Sequence, residues 1–449
     1  MALKIQNSKK RVLLLANSAE APAFQGILSQ LSVEVVLISD EKEMFQRSKE
    51  LSANVVVIDT SFWRDGKIDL SALSELIQNR GMKCLLVSSP NDFVDLDRAW
   101  QSGAYDCVLK PLNTREFIIH LNTALYGKRR ITCLGGGTGL FTILLGLKKL
   151  PNVLLSSVVS MSDSGGSSGR LRSSFGILPP GDVRRSLVAL SDAPELMNRV
   201  IQYRFDRGTD FENHSFGNLF LTVLAQISGS MSEAVRALGD ILNIQGIVLP
   251  ATTTPSDLVA RFENGTIVHG ESKIDLCEGR DPYLRIVDLW HDPKPEVNPE
   301  AYISIMFSDL VILGPGDLYT SVASNLCLPG IREAIQKTHA KKIYICNVMT
   351  KPGETTAYTA ADHVREIVKY LGGDYLDYVF LSTTQFSDAA VSEYAKLGQV
   401  LVLAQDAQEI QKITKAKVIL GDLASEQELV RHDSNKVKNE IEKLLTQKP

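Results

Sequence analysis

Ile131-Thr-Cys-Leu-Gly-Gly-Gly-Thr-Gly-Leu140 is the stretch that decides the fold of the larger part of the chain. Its first four residues read as a buried strand, and residues 140–150 carry apolar side chains at helical spacing. Between the two, Gly135, Gly136, Gly137, Thr138 and Gly139 form a glycine-rich strand-to-helix turn. The first N–H groups of a helix have no partner inside it and lie at the positive end of its dipole, so such a turn can face an anion. Tight turns also need glycine, and the spacing departs from G-x-G-x-x-G, so one turn alone is only moderately specific.

Two more turns of this kind follow. A strand expected over 154–161 runs into Ser162-Asp-Ser-Gly-Gly-Ser-Ser-Gly-Arg170. That loop offers Asp163, Gly165, Gly166, Ser167, Ser168 and Arg170 as ligand contacts. Asp163 lies near the ~20-residue offset at which an acid meets a ribose in dinucleotide folds, and ribose contact and metal contact are both open to it. Arg170 and Arg172 could grip phosphate as a fork, although surface ion pairs are the commoner fate of arginine. The third turn, Gly314-Pro-Gly-Asp-Leu-Tyr-Thr-Ser321, follows a strand over Leu310–Leu313 and adds Gly314, Gly316 and Asp317. In a parallel α/β sheet the carboxyl ends of the strands share one edge, so three such loops point to one phosphate-bearing ligand.

Other segments fall around the same edge: Pro179-Pro-Gly-Asp-Val-Arg184, Asn213-His-Ser-Phe-Gly-Asn218 and Asn347-Val-Met-Thr-Lys-Pro-Gly-Glu354. Pro180 and Asp182 suit a helix start. His214 reads either as a catalytic base or as a hydrogen-bonded structural histidine, and the second reading is favoured because no other His or Cys shares its neighbourhood. Asn218 opens an apolar helix expected over 219–227, and Asn347 closes a strand over 342–347. Further strands are expected over 378–381 and 400–403.

Before this region, short β-branched runs at 11–16, 33–39, 54–59, 83–87 and 106–109 alternate with helical segments. That rhythm predicts a five-stranded parallel sheet with helices on both faces. The last helix should stop at Gly127, and Lys128-Arg129-Arg130 then forms a short basic linker. The expected domains are 1–127 and 131–449. The tail, 425–449, has Val437, Ile441 and Leu444 at helical spacing, which predicts a docked or oligomer-contacting helix, and a homo-oligomer is expected.

The 449 residues carry a formal charge of -4, with both signs mixed along the chain, so nothing attracts nucleic acid or an anionic membrane over long range. The apolar stretch at 12–16 is shorter than a secretory core, and no apolar run approaches a membrane span of ~18 residues. The six cysteines are scattered without a C-x-x-C pair and read as buried thiols. A cytoplasmic protein is expected.

The first domain resembles a response-regulator receiver: Asp59 closes the third strand, Ser88 or Ser89 the fourth, and Lys110-Pro111 the fifth. The receiver family uses such an aspartate to accept phosphate beside a magnesium ion held by acids after the first strand. Here that strand ends Ala16-Asn17-Ser18, and Glu20 is out of register, so phosphorylation of Asp59 is not expected. A pseudo-receiver that binds a regulatory protein partner or dimerises is the expectation.

The segments GGGTGL, GGSSGRLR, LPPGDVR, HSFGNLF, VLPAT, GPGDLYTSV and NVMTKPGET, in this order between Gly135 and Glu354, resemble the gluconeogenesis-factor family of bacterial proteins, relatives of phospholactate transferase. The resemblance covers about the last 320 residues. It implies a larger Rossmann-like α/β domain after the receiver-like (flavodoxin-like) sheet, with the glycine turns and serine-rich loop holding a nucleotide diphosphate. It also implies a regulator that binds nucleotide sugars, with a UDP-sugar favoured, and that influences cell-wall precursor supply and cell shape. The alternative is a transferase of a phospho-hydroxyacid group, assisted by Asp163 and Asp317 through Mg2+. In the family two adjacent aspartates precede GGSSGR. Here they read Asp163-Ser164, which places the metal and the transferase chemistry in doubt more than nucleotide binding.

Overall fold

The computed structural model describes residues 10–16, 20–61, 74–75, 77, 81–90, 97–98, 100–277, 279–426 and 430–446. Asn17 and Ser18, where the sequence lacks the receiver acids, lie outside them. The chain divides into two compact units after Arg129.

In the first unit, β1 (Lys10–Leu15), β2 (Val33–Leu37), β3 (Val55–Asp59), β4 (Lys83–Ser88) and β5 (Asp106–Leu109) form a parallel sheet of order β2-β1-β3-β4-β5. This is the flavodoxin-like order shared by receivers. Every residue of β3 and β5 is buried, as a parallel strand covered on both faces requires. The helix Thr114–Tyr126 begins with Asn113 accepting from the Glu116 N–H and stops at Gly127, whose φ of 65° costs a glycine little.

The second unit is built on β6 (Arg129–Gly135), β7 (Val153–Val159), β8 (Ile247–Pro250), β9 (Asp257–Phe262), β10 (Ile267–His269), β11 (Ile286–Asp292), β12 (Leu310–Leu313), β13 (Lys341–Ile345), β14 (Tyr378–Ser382) and β15 (Lys417–Gly421). Seven of these form a parallel sheet of order β15-β14-β13-β12-β6-β7-β8. From β6 the chain steps outward to β7 and β8, then returns to β12 on the other side of β6. The direction therefore reverses between β6 and β12, and the crevice at such a switch point is where α/β sheets bind ligands. Leu134 stands opposite Leu313, so the two glycine loops leave the sheet at the same level.

Two parts of the second unit differ from the sequence expectation. Residues 400–403 are not a strand of the sheet: Leu401 makes only an isolated bridge to Met349, and Val400 and Leu403 are each 50% exposed. The edge position belongs to β15 instead. A three-stranded antiparallel sheet, β10-β9-β11, was not expected, and it carries the helix Glu271–Leu276.

The tail forms the helix Ser434–Thr446, with Val437 and Ile441 fully buried in the core of this unit. It docks on the helix Gly137–Leu147, where a Cβ on Gly146 would lie 2.7 Å from the Ser434 carbonyl carbon. Its apolar stripe is thus satisfied within the chain. Among the described residues, no helix is long and apolar enough to cross a membrane.

Candidate functional site

The loops after β6 and β12 are pressed together by glycine. A Cβ on Gly139 would lie 2.6 Å from the carbonyl carbon of Pro315 and 2.9 Å from the Gly316 nitrogen. A Cβ on Gly136 would lie 2.6 Å from Asp182 Oδ2. Gly137 starts its helix at φ 63°, with Arg185 and Ser321 as its nearest neighbours. Gly135, Gly136 and Gly314 are buried, whereas Gly137, Thr138, Gly139 and Gly316 reach solvent. Asn347, at the end of β13, donates to the Gly316 carbonyl at 2.8 Å. Asp182 accepts from the Gly137 N–H, so one carboxylate already faces the positive end of this helix. Burial raises the Asp182 carboxyl to about 6 against the pull of Arg185.

The loop after β7 joins them through Asp163. Its Oδ1 accepts from the Gly165 N–H at 3.0 Å, and its Oδ2 would lie 2.8 Å from a Cβ on Gly181. Ser164, where the family's second acid belongs, accepts from the Ser272 N–H at 3.0 Å. The Ser164 N–H donates to the Glu271 carboxylate at 3.3 Å. A carboxylate is therefore present beside position 164, delivered by the helix Glu271–Leu276 rather than by the loop. Sequence reasoning missed Glu271, because nothing local ties it to a residue so far back in the chain.

Burial, then Asp163 and Asp275, push the Glu271 carboxyl up to about 8. Its unfolded value is near 4.5. Between these two values the folded chain holds a proton that the unfolded chain has lost, so this group's stabilising contribution is full below the lower value and declines as pH rises through the upper. Glu271→Gln is expected to raise stability by about 2 kcal/mol at pH 9 and to change it little at pH 4.5, from a shift partly screened by solvent. Urea unfolding of both proteins at the two pH values checks this, and an equal difference at both would contradict it.

On the outer side of the serine loop, three residues predicted from the sequence form one polar chain with Arg184. Arg184 donates to Asn218 Oδ1 at 2.8 Å, Asn218 donates to Ser167 Oγ at 3.1 Å, and Ser167 Oγ lies 3.0 Å from His214 Nδ1. Burial and the Arg170 charge lower the His214 pKa, which favours the neutral ring. Arg170 donates to the Glu212 carbonyl at 2.6 Å, and Arg172 pairs with Asp257 at 2.8 Å. Gly166, Arg170 and His214 line one groove of about 600 Å³. Ser168 is buried against Gly181.

Asp317, the other acid the sequence offered besides Asp163, belongs to a group with Asp275 and Glu354 in which one oxygen from each lies within 4.8 Å of the others. Lys351 is bonded to Asp275, stands 2.7 Å from Asp317 Oδ2 and lies 3.9 Å from Glu354 Oε1. Glu354 is buried and accepts from the Tyr319 N–H at 3.1 Å and from Thr320 Oγ1 at 2.7 Å. These residues do not fit Mg2+ while the ammonium is in place. Nor does the pair Asp163-Ser164, whose second member is a hydroxyl already engaged by Ser272.

In the first unit, Glu20 is not out of reach as its sequence position implied. Lys110 Nζ stands 2.7 Å from Glu20 Oε1 and 2.7 Å from Asp59 Oδ2, and Asp59 Oδ1 accepts from the Ser61 N–H at 2.9 Å. Burial raises the Asp59 carboxyl, but hydrogen bonds with Glu20 and Lys110 outweigh it and hold the group low. Glu20 stands at the start of the helix Ala21–Leu28, a placement that spacing alone could not give.

Comparison with known proteins gives this geometry a family. The model of the 2-phospho-L-lactate transferase CofD family matches residues 131–424. The chain is 40% identical over 319 residues to the gluconeogenesis factor of Bacillus subtilis, covering 71% of this chain and 98% of that protein. It is 38% identical over 314 residues to the gluconeogenesis factor of Halalkalibacterium halodurans, covering 70% and 96%. A crystal structure of a Bacillus halodurans protein aligns with a TM-score of 0.67 at 39% identity, covering 70% of this chain and 99% of that one. Through its second unit, the chain belongs to the CofD family and is a homologue of the gluconeogenesis factors.

Proposed function

We propose that the second unit binds a nucleotide diphosphate derivative, with a UDP-sugar favoured, and acts as a regulatory protein of cell-wall precursor supply and cell shape. The observation that carries this reading is the convergence of the β6 and β12 glycine loops at the switch point, held so close that Gly139 admits no side chain. A helix N-terminus opens onto that crevice, and backbone N–H groups there suit a diphosphate. The β7 loop adds Asp163, a carboxylate suited to accept from a ribose hydroxyl. The first unit would pass the bound state to a protein partner, since its sequence lacks, at Ala16-Asn17-Ser18, the paired acids that phosphate chemistry would need.

The second reading, a transferase, is favoured by Asp163 and by Glu271 beside Ser164, which together keep two carboxylates at this loop. Differential scanning fluorimetry separates the ligand classes. A ligand specific to the native state at 100 times its Kd adds about 2.7 kcal/mol of apparent stability. UDP-N-acetylglucosamine is expected to raise the unfolding temperature in this way, and NAD is not. A shift with NAD and none with any UDP-sugar would remove the proposed ligand.

A further inference from the structure

Asp275, Asp317 and Glu354 come from three separate elements: the helix Glu271–Leu276, the loop after β12 and the loop after β13. Each offers one oxygen within 4.8 Å of the others, a spacing suited to a divalent ion. The position between them holds a cation already. The Lys351 ammonium is bonded to Asp275, lies 2.7 Å from Asp317 Oδ2 and reaches Glu354 Oε1 at 3.9 Å. Glu354 cannot swing away, because the Tyr319 N–H and the Thr320 hydroxyl fix both of its oxygens.

We propose that Lys351 is the resident cation of this edge: its ammonium takes the place of a divalent metal between Asp275, Asp317 and Glu354, so the site holds its anionic ligand without magnesium. Magnesium demands oxygens at ~2.1 Å in near-octahedral array, and an ammonium between the same oxygens excludes it by charge and by space. Burial alone would lower the Lys351 pKa, but Glu354, Asp317 and Asp275 raise it, so the side chain stays charged. Asp317 follows Gly316 directly, which places the cation on the loop that closes the crevice.

The statement about the ligand rests on the proposed nucleotide site, whereas the cation assignment does not. The test of the assignment therefore uses Mn2+ alone, titrated into the full chain without nucleotide and followed by the electron paramagnetic resonance of the free ion. Wild type and Asp317→Asn are expected to give the same isotherm. Lys351→Met is expected to gain one Mn2+ per chain, at least ~10-fold tighter than any wild-type site, because three carboxylates left without a counter-charge recruit one. The gain should vanish in the Lys351→Met, Asp317→Asn double variant. Wild-type uptake that Asp317→Asn weakens would overturn the proposal, as would a folded Lys351→Met with no gain. Should Lys351→Met fail to fold, the wild-type comparison decides alone, and Lys351→Gln supplies a second neutral variant. Separately, EDTA is expected to leave UDP-sugar affinity within twofold, and a larger loss would overturn the claim about the ligand while leaving the Mn2+ result standing.

Discussion

Gly139→Ala is expected to abolish binding of a UDP-sugar and to destabilise the second unit by about 1–3 kcal/mol, the usual cost of one methyl forced into a packed site. The added Cβ would meet the Pro315 carbonyl group and the Gly316 nitrogen, all backbone atoms that no rotamer change can move aside. Only separation of the β6 and β12 loops relieves the overlap, and that separation widens the crevice in which the diphosphate would sit. Gly137→Ala is the informative partner. Its Cβ finds open space, with Arg185 Nη1 at 3.7 Å, but its φ of 63° costs about 1–2 kcal/mol for any side chain. It should weaken binding moderately and leave the first unit's unfolding unchanged. Calorimetric unfolding and ligand titration on the two variants settle the matter. If Gly139→Ala binds the UDP-sugar as wild type does, the ligand sits elsewhere.

Both sheets were legible because parallel strands covered on two faces must be largely apolar, and β3 up to Ile58 and β12 throughout are unbroken apolar runs. The same rule explains the failure at 400–403. Val400 and Leu403 are apolar in sequence but half-exposed, whereas the true edge strand, β15, begins at Lys417 and is only partly covered. Edge strands carry mixed residues, so a run of apolar letters misleads there. The glycine turns were legible as candidates, since a tight approach leaves its mark on one residue at a time. Glu271 was not legible, because its partner Ser164 lies 107 residues away and the antiparallel insertion that delivers it has no local signature of function. Lys351 and Glu354 stood in a segment already placed at the site edge, yet their role depends on Asp275 and Asp317, which reach them only in three dimensions.

Asp163→Ala should lower UDP-sugar affinity by about 10-fold or more, the effect of removing one charged hydrogen-bonding group from a ribose contact at about 1.5–3 kcal/mol. The variant should fold, because Asp163 is partly exposed and its own loop bond, to the Gly165 N–H, is a single cap. The same carboxylate decides between binding and turnover. A transferase would use it to hold a metal and stabilise the charge that develops on the transferred phosphoryl group, a role usually worth several powers of ten in rate. With the position beside it held by the Ser164 hydroxyl, already bonded to Ser272, and with burial disfavouring charge on the nearby Glu271, that metal would have one acid fewer from its own loop. Wild-type protein mixed with guanosine-diphosphate-activated phospholactate and a hydroxy acid acceptor is therefore expected to give no rapid product, while UDP-N-acetylglucosamine binds and is released intact. Ser164→Asp should make binding more dependent on magnesium, since it restores the second acid. Rapid product from wild type that Asp163→Ala removes, without affinity for the UDP-sugar, would establish the transferase and end the binding-protein reading.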